Sequence, residues 1–339
     1  MRGIICAEVE RFEWTANLPE PVLEAGHAIV SVKRIGICGT DLHAFKGNQP
    51  FFSYPRILGH ELAGVIEEVG FNEQGLHVGD QVSIIPYLHC GDCIACRSGK
   101  TNCCTAMSVL GVHRDGGMRE RISVPVACLL AANGLTLDQT AVLEPFAIGA
   151  HAVRRSGLAA DETALVIGGG PIGLGVMAIA KHKGARVIAM DVNDDRLSFC
   201  GQWAGADALV NALHDEPVQR ILEACGGELP SVVFDATGNA KSMGDSFRYV
   251  AHGGRLVFVG LVKADITFND PEFHKRELTL MASRNATRED FATVLEALSA
   301  GAIDVSRYIT HRAPLAEMIE HFDGWLKPES RVIKAMVEL

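Results

Sequence analysis

The sequence predicts an α/β protein with two domains, one β-rich and one built on a doubly wound parallel sheet. Up to about residue 140, short β-branched runs are separated by glycine and proline, a pattern typical of strands and turns. From about residue 142, apolar strand-like runs alternate with helix-like segments, and a glycine-rich loop follows the first run. The run 331–337 again has strand character, and we expect it to return to the first domain. We therefore assign residues 1–141 and 282–339 to the first domain and residues 142–281 to the second.

Composition and charge exclude several classes of protein. The 339-residue chain has a formal net charge of -10 and no basic stripe, which argues against a nucleic-acid partner. It contains no run of about 18 apolar residues, so we expect no membrane span. Its first ten residues include acids and lack the apolar run of a signal peptide. Together with ten cysteines, this favours a cytoplasmic protein whose thiols bind metals.

The first domain combines short strands with residues of zinc-binding type. Alternating apolar and β-branched residues predict strands at 28–35, 63–69 and 81–85. A thiolate, an imidazole and a carboxylate can all bind zinc, and three protein ligands leave a position for substrate. Each such residue alone would be an ordinary core residue, but together with the two motifs below they indicate a catalytic metal site. The candidates are Cys38, His60, Glu61 and Glu144.

A second metal motif is the loop Cys90-Gly-Asp-Cys93-Ile-Ala-Cys96, which is followed after seven residues by Cys104. Thiolates two residues apart on a tight loop can converge on one tetrahedral Zn²⁺, and a site filled by four thiolates is structural. Two alternatives stay open. An iron–sulfur motif would usually close with C-x3-C-P, and a pair of disulfides would fit an exported protein. Cys103 is also a candidate for the fourth ligand.

The second domain opens with a strand, a glycine loop and a helix. A buried strand is predicted at 163–167 and a helix at 172–183, and a G-x-G-x-x-G loop joins them. The first glycine permits the turn, the second lets the backbone approach a pyrophosphate, and the third lets the helix pack on the strand. Further strands are predicted at 186–190, 232–234 and 255–259, and a helix at 288–300. The loop residues expected to bind the dinucleotide are Gly168, Gly170, Pro171, Ile172 and Gly173.

Three further residues complete the predicted dinucleotide site. Asp191 ends the next strand, at the position where a carboxylate bonds the ribose 2′-hydroxyl and repels a 2′-phosphate. This favours NAD over NADP. Thr237 follows another strand at the edge where ligands bind in such sheets. Arg196 could lie beside the adenine, although a lone arginine is equally typical of a surface.

Taken together, these motifs resemble the zinc-containing medium-chain alcohol and polyol dehydrogenases along the whole chain. The resemblance implies a GroES-like catalytic domain and a Rossmann domain. It also implies NAD as cofactor, two Zn²⁺ ions per chain, and a homodimer or homotetramer. The segments that carry it are G-I-C-G-T-D-x-H at 36–43, G-H-E at 59–61, the four-cysteine loop, E-P at 144–145, G-x-G-P-x-G at 168–173 and F-D-A-T-G at 234–238.

The family pattern implies a role for each metal-binding candidate. It places Cys38, His60 and Glu144 on the catalytic zinc, with Glu61 adjacent and able to exchange onto the metal. It also selects Cys104 over Cys103, so that the structural zinc is held by Cys90, Cys93, Cys96 and Cys104.

The same pattern implies a route for the substrate proton. Thr40 takes the proton from the substrate hydroxyl, and His43 passes it toward solvent. Asp41 is expected to fix an imidazole ligand by bonding its second nitrogen.

A finer resemblance concerns the substrate. The segments 47–56, 101–104, 111–113 and 283–287 are similar to those of the sugar-acid branch, which includes bacterial L-galactonate and L-gulonate 5-dehydrogenases. This implies oxidation of the C5 secondary hydroxyl of a hexonate to a ketohexonate. Because the chain is acidic overall, a carboxylate substrate needs a local cation. The candidates are Arg284, His113 and Arg114.

Other functions stay open at this stage. The same zinc and NAD residues would serve a neutral polyol dehydrogenase of the sorbitol or galactitol type, or an L-threonine dehydrogenase, and only substrate screening separates them. A non-catalytic sugar-acid sensor with this fold would be expected to lose part of the catalytic set. Here the whole set is present: Cys38, Thr40, His43, His60, Glu61 and Glu144.

Overall fold

The computed structural model describes residues 1–49 and 52–339. Pro50 and Phe51, part of the 47–56 segment used above, lie outside the described residues. The strands are β1 (Gly3–Glu8), β2 (Arg11–Thr15), β3 (His27–Ile37), β4 (Glu61–Val69), β5 (Gln81–Ile84), β6 (Tyr87–Leu88), β7 (Ser108–Val109), β8 (Arg121–Pro125), β9 (Leu129–Ala131), β10 (Thr163–Ile167), β11 (Arg186–Asp191), β12 (Ala208–Asn211), β13 (Val232–Asp235), β14 (Arg255–Phe258), β15 (Thr279–Ala282), β16 (Ile309–Pro314) and β17 (Lys334–Glu338).

The helices are mostly short. They are α1 (Gly39–Phe45), α2 (Ile94–Arg97), α3 (Leu137–Ala141), α4 (Leu143–Ser156), α5 (Pro171–His182), α6 (Asp194–Ala204), α7 (Pro217–Ala224), α8 (Ala240–Asp245), α9 (Asp270–Lys275), α10 (Arg288–Ser299), α11 (Val305–Tyr308) and α12 (Met318–Trp325). Within the described part of the chain, none is both long and apolar enough to cross a membrane.

The chain divides into two compact units. One contains Met1–Glu144 and Val305–Leu339, and the other contains Pro145–Asp304. Residues 142–144, predicted for the second domain, belong to the first unit. Residues 282–304, predicted for the first domain, belong instead to the second unit. The difference arises because β15 extends the parallel sheet of that unit, and because buried Asp290 of α10 is paired with His151 and Arg154 of α4.

The first unit is built around the long strand β3. Its main sheet has the order β16-β17-β3-β4-β5-β9, and β8 also pairs with β3. Only the β16–β17 pair is parallel. The pairing of β17 with β3 confirms that the C-terminal tail returns to this unit. The core is aliphatic, with Val30, Ile35 and Leu62 fully buried, and it fixes the ends of β3 and the start of β4.

The second unit contains a six-stranded sheet in which every pair is parallel. Its order is β12-β11-β10-β13-β14-β15, which is the Rossmann order 3-2-1-4-5-6. The strands consist of nearly continuous apolar residues, as expected when helices cover both faces of a sheet. The strand order reverses between β10 and β13, so the sheet predicts a ligand site beyond the carboxyl ends of these two strands.

Candidate metal and dinucleotide sites

Three candidate zinc ligands meet where β3 ends and β4 begins. Cys38 follows β3 and caps the N-terminus of α1, whereas His60 and Glu61 stand at the start of β4. The Cys38 thiol, a ring nitrogen of His60 and a carboxylate oxygen of Glu61 lie within 4.8 Å of one another. Gly36 pairs with Glu61 across the two strands. A Cβ at Gly36 would lie 2.0 Å from Glu61 Oε2, so glycine is what leaves room for the carboxylate.

Asp41 is hydrogen-bonded to the backbone on both sides of this cluster. Its carboxylate accepts hydrogen bonds from the backbone N–H of Cys38, at 2.9 Å, and from that of Gly59, at 3.2 Å. It therefore anchors one ligand directly and the residue that precedes the other. Its Oδ1 lies 3.8 Å from Nδ1 of His60, too far for a hydrogen bond, so the bond predicted between Asp41 and the imidazole is not formed in this structure. Burial raises the pKa of Asp41, while His60 and the two backbone donors oppose that rise.

The environment of His60 fits a metal ligand. Its ring is buried, and Nδ1 has no hydrogen-bond partner among the described residues. Burial alone would lower the pKa of His60, but the negative charges of Asp41 and Cys38 outweigh it and raise the pKa well above the usual value. The surroundings of the imidazole thus favour a positive charge. A cation bound by Cys38 and His60 would meet that demand.

Two carboxylates are candidates for the third ligand position, and each accepts hydrogen bonds from a different side chain. Both oxygens of Glu61 accept hydrogen bonds from the buried ammonium of Lys334, at 2.6 and 2.7 Å. Oε1 of Glu144 accepts a hydrogen bond from the hydroxyl of Tyr87. Burial raises the pKa of Glu144 to about 7. Glu61, and not Glu144, belongs to the close cluster with Cys38 and His60, so the assignment of either as the resting ligand stays a prediction.

The proposed relay residues lie on α1. Thr40 is half-buried near the start of the helix, and His43 is exposed in its last turn. Residues three apart share one face of a helix. Cys38 stands immediately before this helix, so the structure places both residues on the element that begins at a candidate ligand.

The four-cysteine loop has the geometry of a single-metal site. The sulfurs of Cys90, Cys93, Cys96 and Cys104 all lie within 4.8 Å of one another. Backbone N–H groups point at these sulfurs: that of Cys93 donates to Cys90 and that of Cys96 to Cys93. Hydrogen bonds from the backbone N–H groups of Cys96 and Thr105 lower the pKa of the Cys93 thiol to about 5. This favours the thiolate, which is the form that binds metals.

The sulfur positions distinguish between the alternatives for this loop. All ten cysteines are free thiols, and the sulfurs of Cys90 and Cys104 are 3.5 Å apart, so the disulfide alternative does not describe this structure. Four thiolates at about 2.3 Å from one tetrahedral zinc are separated by roughly 3.8 Å. An iron–sulfur cluster would hold them further apart, because several irons and sulfides stand between them. The spacing therefore fits one zinc ion. Cys103 is exposed and lies outside the group.

The glycine loop has the backbone shape that a dinucleotide requires. Gly168 has a φ of 101°, which disfavours any other residue. A Cβ at Gly173 would lie 1.8 Å from the carbonyl oxygen of Gly168, so glycine allows α5 to approach the strand end. A Cβ at Gly170 would meet nothing within 4 Å. The N-terminus of α5, with Pro171 and Ile172 in its first turn, therefore faces open space that a phosphate could fill.

Asp191 is buried at the carboxyl end of β11. Its Oδ2 accepts a hydrogen bond from the N–H of Gly169, and its Oδ1 accepts from those of Val192 and Asn193. The carboxylate therefore joins the glycine loop to the turn after β11. This is in part the capping role of an ordinary aspartate, but it also holds a negative charge at one place beside the loop.

The two other predicted dinucleotide contacts lie beside the same loop. Thr237 follows β13, and its hydroxyl donates to buried Asp235 at 2.6 Å. Its Cγ2 would lie 3.2 Å from a Cβ added at Gly168. Arg196 is exposed at the start of α6, and its Cβ lies 3.2 Å from the Cβ position of Gly169. The structure thus gathers all the predicted dinucleotide residues around the ends of β10, β11 and β13.

Comparison with known proteins establishes the family. A model of the alcohol dehydrogenase GroES-like domain matches residues 24–133, and one of zinc-binding dehydrogenases matches residues 171–300. The L-galactonate-5-dehydrogenase of Escherichia coli (strain K12) is 45% identical over 337 residues, which cover 99% of this chain and 98% of that protein. The chain belongs to the zinc-binding alcohol dehydrogenases. This confirms the predicted fold and the predicted enzyme class, an oxidoreductase acting on CH–OH groups.

Solved structures of similar proteins contain either dinucleotide. An alcohol dehydrogenase (rspB) from E. coli CFT073, in complex with NADH, is 29% identical with a TM-score of 0.91, and the match covers 100% of this chain and 99% of that chain. A zinc-binding dehydrogenase from Sinorhizobium meliloti 1021 bound to NADP is 27% identical with a TM-score of 0.90, at the same coverage. Family membership alone therefore leaves the cofactor of this zinc-binding alcohol dehydrogenase to be argued from Asp191.

Two residues of this zinc-binding alcohol dehydrogenase were missed by sequence reasoning. Lys334 pairs with Glu61, and Tyr87 bonds Glu144. The lysine left a signal, because it interrupts the otherwise apolar run 332–337. A lysine there must find a buried partner or disrupt the core. The tyrosine left none, since aromatic residues are common in strands.

Proposed function

We propose that this chain is a zinc- and NAD-dependent dehydrogenase that oxidises the C5 hydroxyl of a hexonate such as L-galactonate. The observation that carries the proposal is the 45% identity to L-galactonate-5-dehydrogenase along almost the whole chain, in a structure that also keeps the cluster of Cys38, His60 and Glu61. The partner is thus a small sugar acid. The protein would assemble as a homodimer or homotetramer.

Two zinc ions per chain are proposed. Cys90, Cys93, Cys96 and Cys104 would hold a structural ion, because four thiolates leave no open position. Cys38 and His60, with Glu144 or Glu61, would hold the catalytic ion. Zinc there would supply Lewis acidity toward a substrate hydroxyl, and NAD would supply the hydride acceptor.

The chain's own residues would position the reactants and move the proton. Asp41 keeps Cys38 and His60 in place through two backbone bonds. Thr40 would accept the proton of the C5 hydroxyl, and exposed His43 would release it to solvent. The glycine loop at the start of α5 would bind the pyrophosphate through Gly168, Gly170, Pro171, Ile172 and Gly173.

Asp191 supports NAD as the cofactor. Its carboxylate is fixed by three backbone N–H groups, so it cannot swing away from a ribose phosphate without breaking them. A 2′-phosphate would therefore meet a fixed negative charge, whereas a 2′-hydroxyl could donate to it. Thr237 and Arg196 would flank the same cofactor.

The test is a substrate panel at fixed enzyme concentration, with NADH formation followed by absorbance and zinc measured on the same sample. We expect turnover of L-galactonate or L-gulonate with NAD, and two zinc ions per chain. Turnover confined to sorbitol, galactitol or L-threonine would contradict the hexonate assignment while keeping the enzyme class. Two zinc ions without turnover of any compound would instead favour a sensor.

A further inference from the structure

A hexonate places its charge at a defined distance from the reacting carbon. Four C–C bonds of about 1.5 Å separate C5 from the C1 carboxylate, which spans roughly 5 Å when the chain is extended. The cation that recognises the acid must therefore stand close to the candidate metal ligands. The proposal below rests on the hexonate function proposed above, and it concerns which residue of the first unit supplies that cation.

The segment Val109–Gly117, here called the 109–117 loop, is bonded to the chain beside His60. The N–H of Gly117 donates to the carbonyl of Gly59, which precedes His60, at 2.9 Å, and the N–H of Gly116 donates to Ile57 at 2.7 Å. Gly111 packs so closely that a Cβ there would lie 3.0 Å from the nitrogen of Gly59. The loop is therefore part of the wall next to a candidate zinc ligand.

The other end of the loop is tied to the second candidate ligand. Val109 pairs with Tyr87 across the two short strands β6 and β7, and the hydroxyl of Tyr87 bonds Glu144. The N–H of Val109 donates to Nδ1 of His113 at 3.0 Å, so that imidazole braces the turn. The loop thus connects the supports of His60 and Glu144, and its geometry is set by internal bonds.

Arg114 stands at the turn of this loop. Its carbonyl accepts the N–H of Gly111 at 2.8 Å, which places it one hydrogen bond from a residue packed on Gly59. Its side chain is exposed, and within the described residues it forms no hydrogen bond or ion pair. The next residue, Asp115, does not neutralise the charge of Arg114, because its Oδ1 accepts hydrogen bonds from Arg56 and from the N–H of Ile57.

Many of the other cations of the first unit are already engaged. Lys334 is buried against Glu61, and burial leaves Arg119 with a lowered pKa. Several arginines are paired with carboxylates, namely Arg2, Arg11, Arg34, Arg56, Arg121 and Arg312. An unpaired guanidinium on a fixed loop can grip a carboxylate through two parallel bonds without first losing another partner. We propose that Arg114 is the specificity-determining residue that binds the substrate carboxylate.

The experiment compares an acid with its neutral counterpart. Galactitol carries a hydroxymethyl group where L-galactonate carries the carboxylate. We expect Arg114→Ala to raise KM and the calorimetric dissociation constant for L-galactonate about tenfold or more, with little change in kcat. Activity on galactitol should not change. The KM of Arg114→Lys for L-galactonate should lie between those of the wild type and Arg114→Ala, because lysine keeps the charge and lacks the planar guanidinium. Added salt should weaken L-galactonate binding by the wild type more than by Arg114→Ala.

The matched control is Arg11→Ala, which removes one exposed arginine from β2, where it pairs with Glu8 and Glu13. It should behave as the wild type with both substrates. Wild-type kinetics of Arg114→Ala on L-galactonate would overturn the inference and leave the proposed function standing. If Arg114→Ala lost activity equally on L-galactonate and galactitol, the role of Arg114 would be structural, and this result would also overturn the inference. Wild-type enzyme that turns over galactitol but no hexonate would refute the proposed function and the inference with it.

Discussion

At the scale of single residues, the most consequential contact is the buried pair of Lys334 and Glu61. The two side chains are about 2% and 1% exposed. Burial alone would lower the pKa of the ammonium, but the carboxylate of Glu61 outweighs it and raises the pKa. Glu61 is also one of the three residues in the candidate metal cluster. Lys334 therefore stabilises a charge that would otherwise be uncompensated whenever Glu61 is not on a metal.

Replacing the lysine should destabilise the protein. We expect Lys334→Met to lower the free energy of unfolding by about 3 kcal/mol, because it leaves Glu61 charged and buried without its partner. The double variant Lys334→Met with Glu61→Gln should recover much of that loss, since both charges are then absent. Urea unfolding of the three proteins measures the difference. Equal stability of the single variant and the wild type would contradict this account.

At the scale of elements, α4 and α10 are joined by a buried charge network. Asp290 of α10 accepts from Arg154 at 2.7 Å and lies 2.9 Å from Nδ1 of His151 on α4. Its carboxylate also accepts the hydroxyl and N–H of Thr287, which caps α10. Burial would raise the pKa of Asp290, but the bonds from His151 and Arg154 outweigh it and hold the pKa well below its usual value.

This network should make stability depend on pH. The pKa of Asp290 is lower in the folded state than in the unfolded state, where it is about 3.9. The contribution of Asp290 to the free energy of unfolding is therefore complete above about pH 3.9 and declines as the pH falls below that value. We expect Asp290→Asn to be less stable than the wild type by about 3 kcal/mol at pH 7. The difference in the free energy of unfolding between Asp290→Asn and the wild type should become smaller below about pH 4. Urea-unfolding midpoints at several pH values measure this.

The neighbouring acid supplies a control. Glu289 is exposed and lies 3.3 Å from Arg154, and exposed pairs contribute little. Glu289→Gln should therefore unfold like the wild type at every pH. A constant gap between Asp290→Asn and the wild type down to pH 2 would show that the loss comes from packing and not from the charge.

At the scale of the whole molecule, the proposed sites divide between the two units. All the candidate metal ligands lie within Met1–Glu144, and the glycine loop and Asp191 lie within Pro145–Asp304. Each unit has a hydrophobic core of its own. A change confined to one set of ligands should therefore leave binding at the other unit intact.

Cys38→Ser tests this independence. We expect zinc content to fall from two to one per chain and turnover to be lost, because a hydroxyl is a poor substitute for a thiolate ligand. NADH affinity, followed by fluorescence, should stay within a factor of two or so of the wild type, a change of less than about 0.5 kcal/mol. Cys103→Ser is the control, since its exposed thiol lies outside both clusters, and it should keep both ions. Retained zinc and activity in Cys38→Ser would refute the site assignment.

Much of the fold was predictable because its signals are local. The strand expected at 163–167 is β10, and the helix expected at 172–183 is α5, one residue earlier at each end. The tail strand was expected from residue 331 but begins at Lys334. The preceding residues form a 3₁₀ turn, and Arg331 adopts a φ of 51°, so the apolar run begins before the backbone becomes extended.

The fold class, the family and the residue types of both candidate metal sites could be predicted from the sequence alone, because ligands two or three residues apart and a glycine loop act over short stretches of chain. Which carboxylate lies beside Cys38 and His60 becomes visible in the tertiary structure, and so does the ion pair between Glu61 and Lys334, which are 273 residues apart. The fold also places Arg114 on a loop that is hydrogen-bonded to Gly59, the residue before His60. Such contacts depend on which strands pair and how the core packs, and spacing along the chain carries no measure of either.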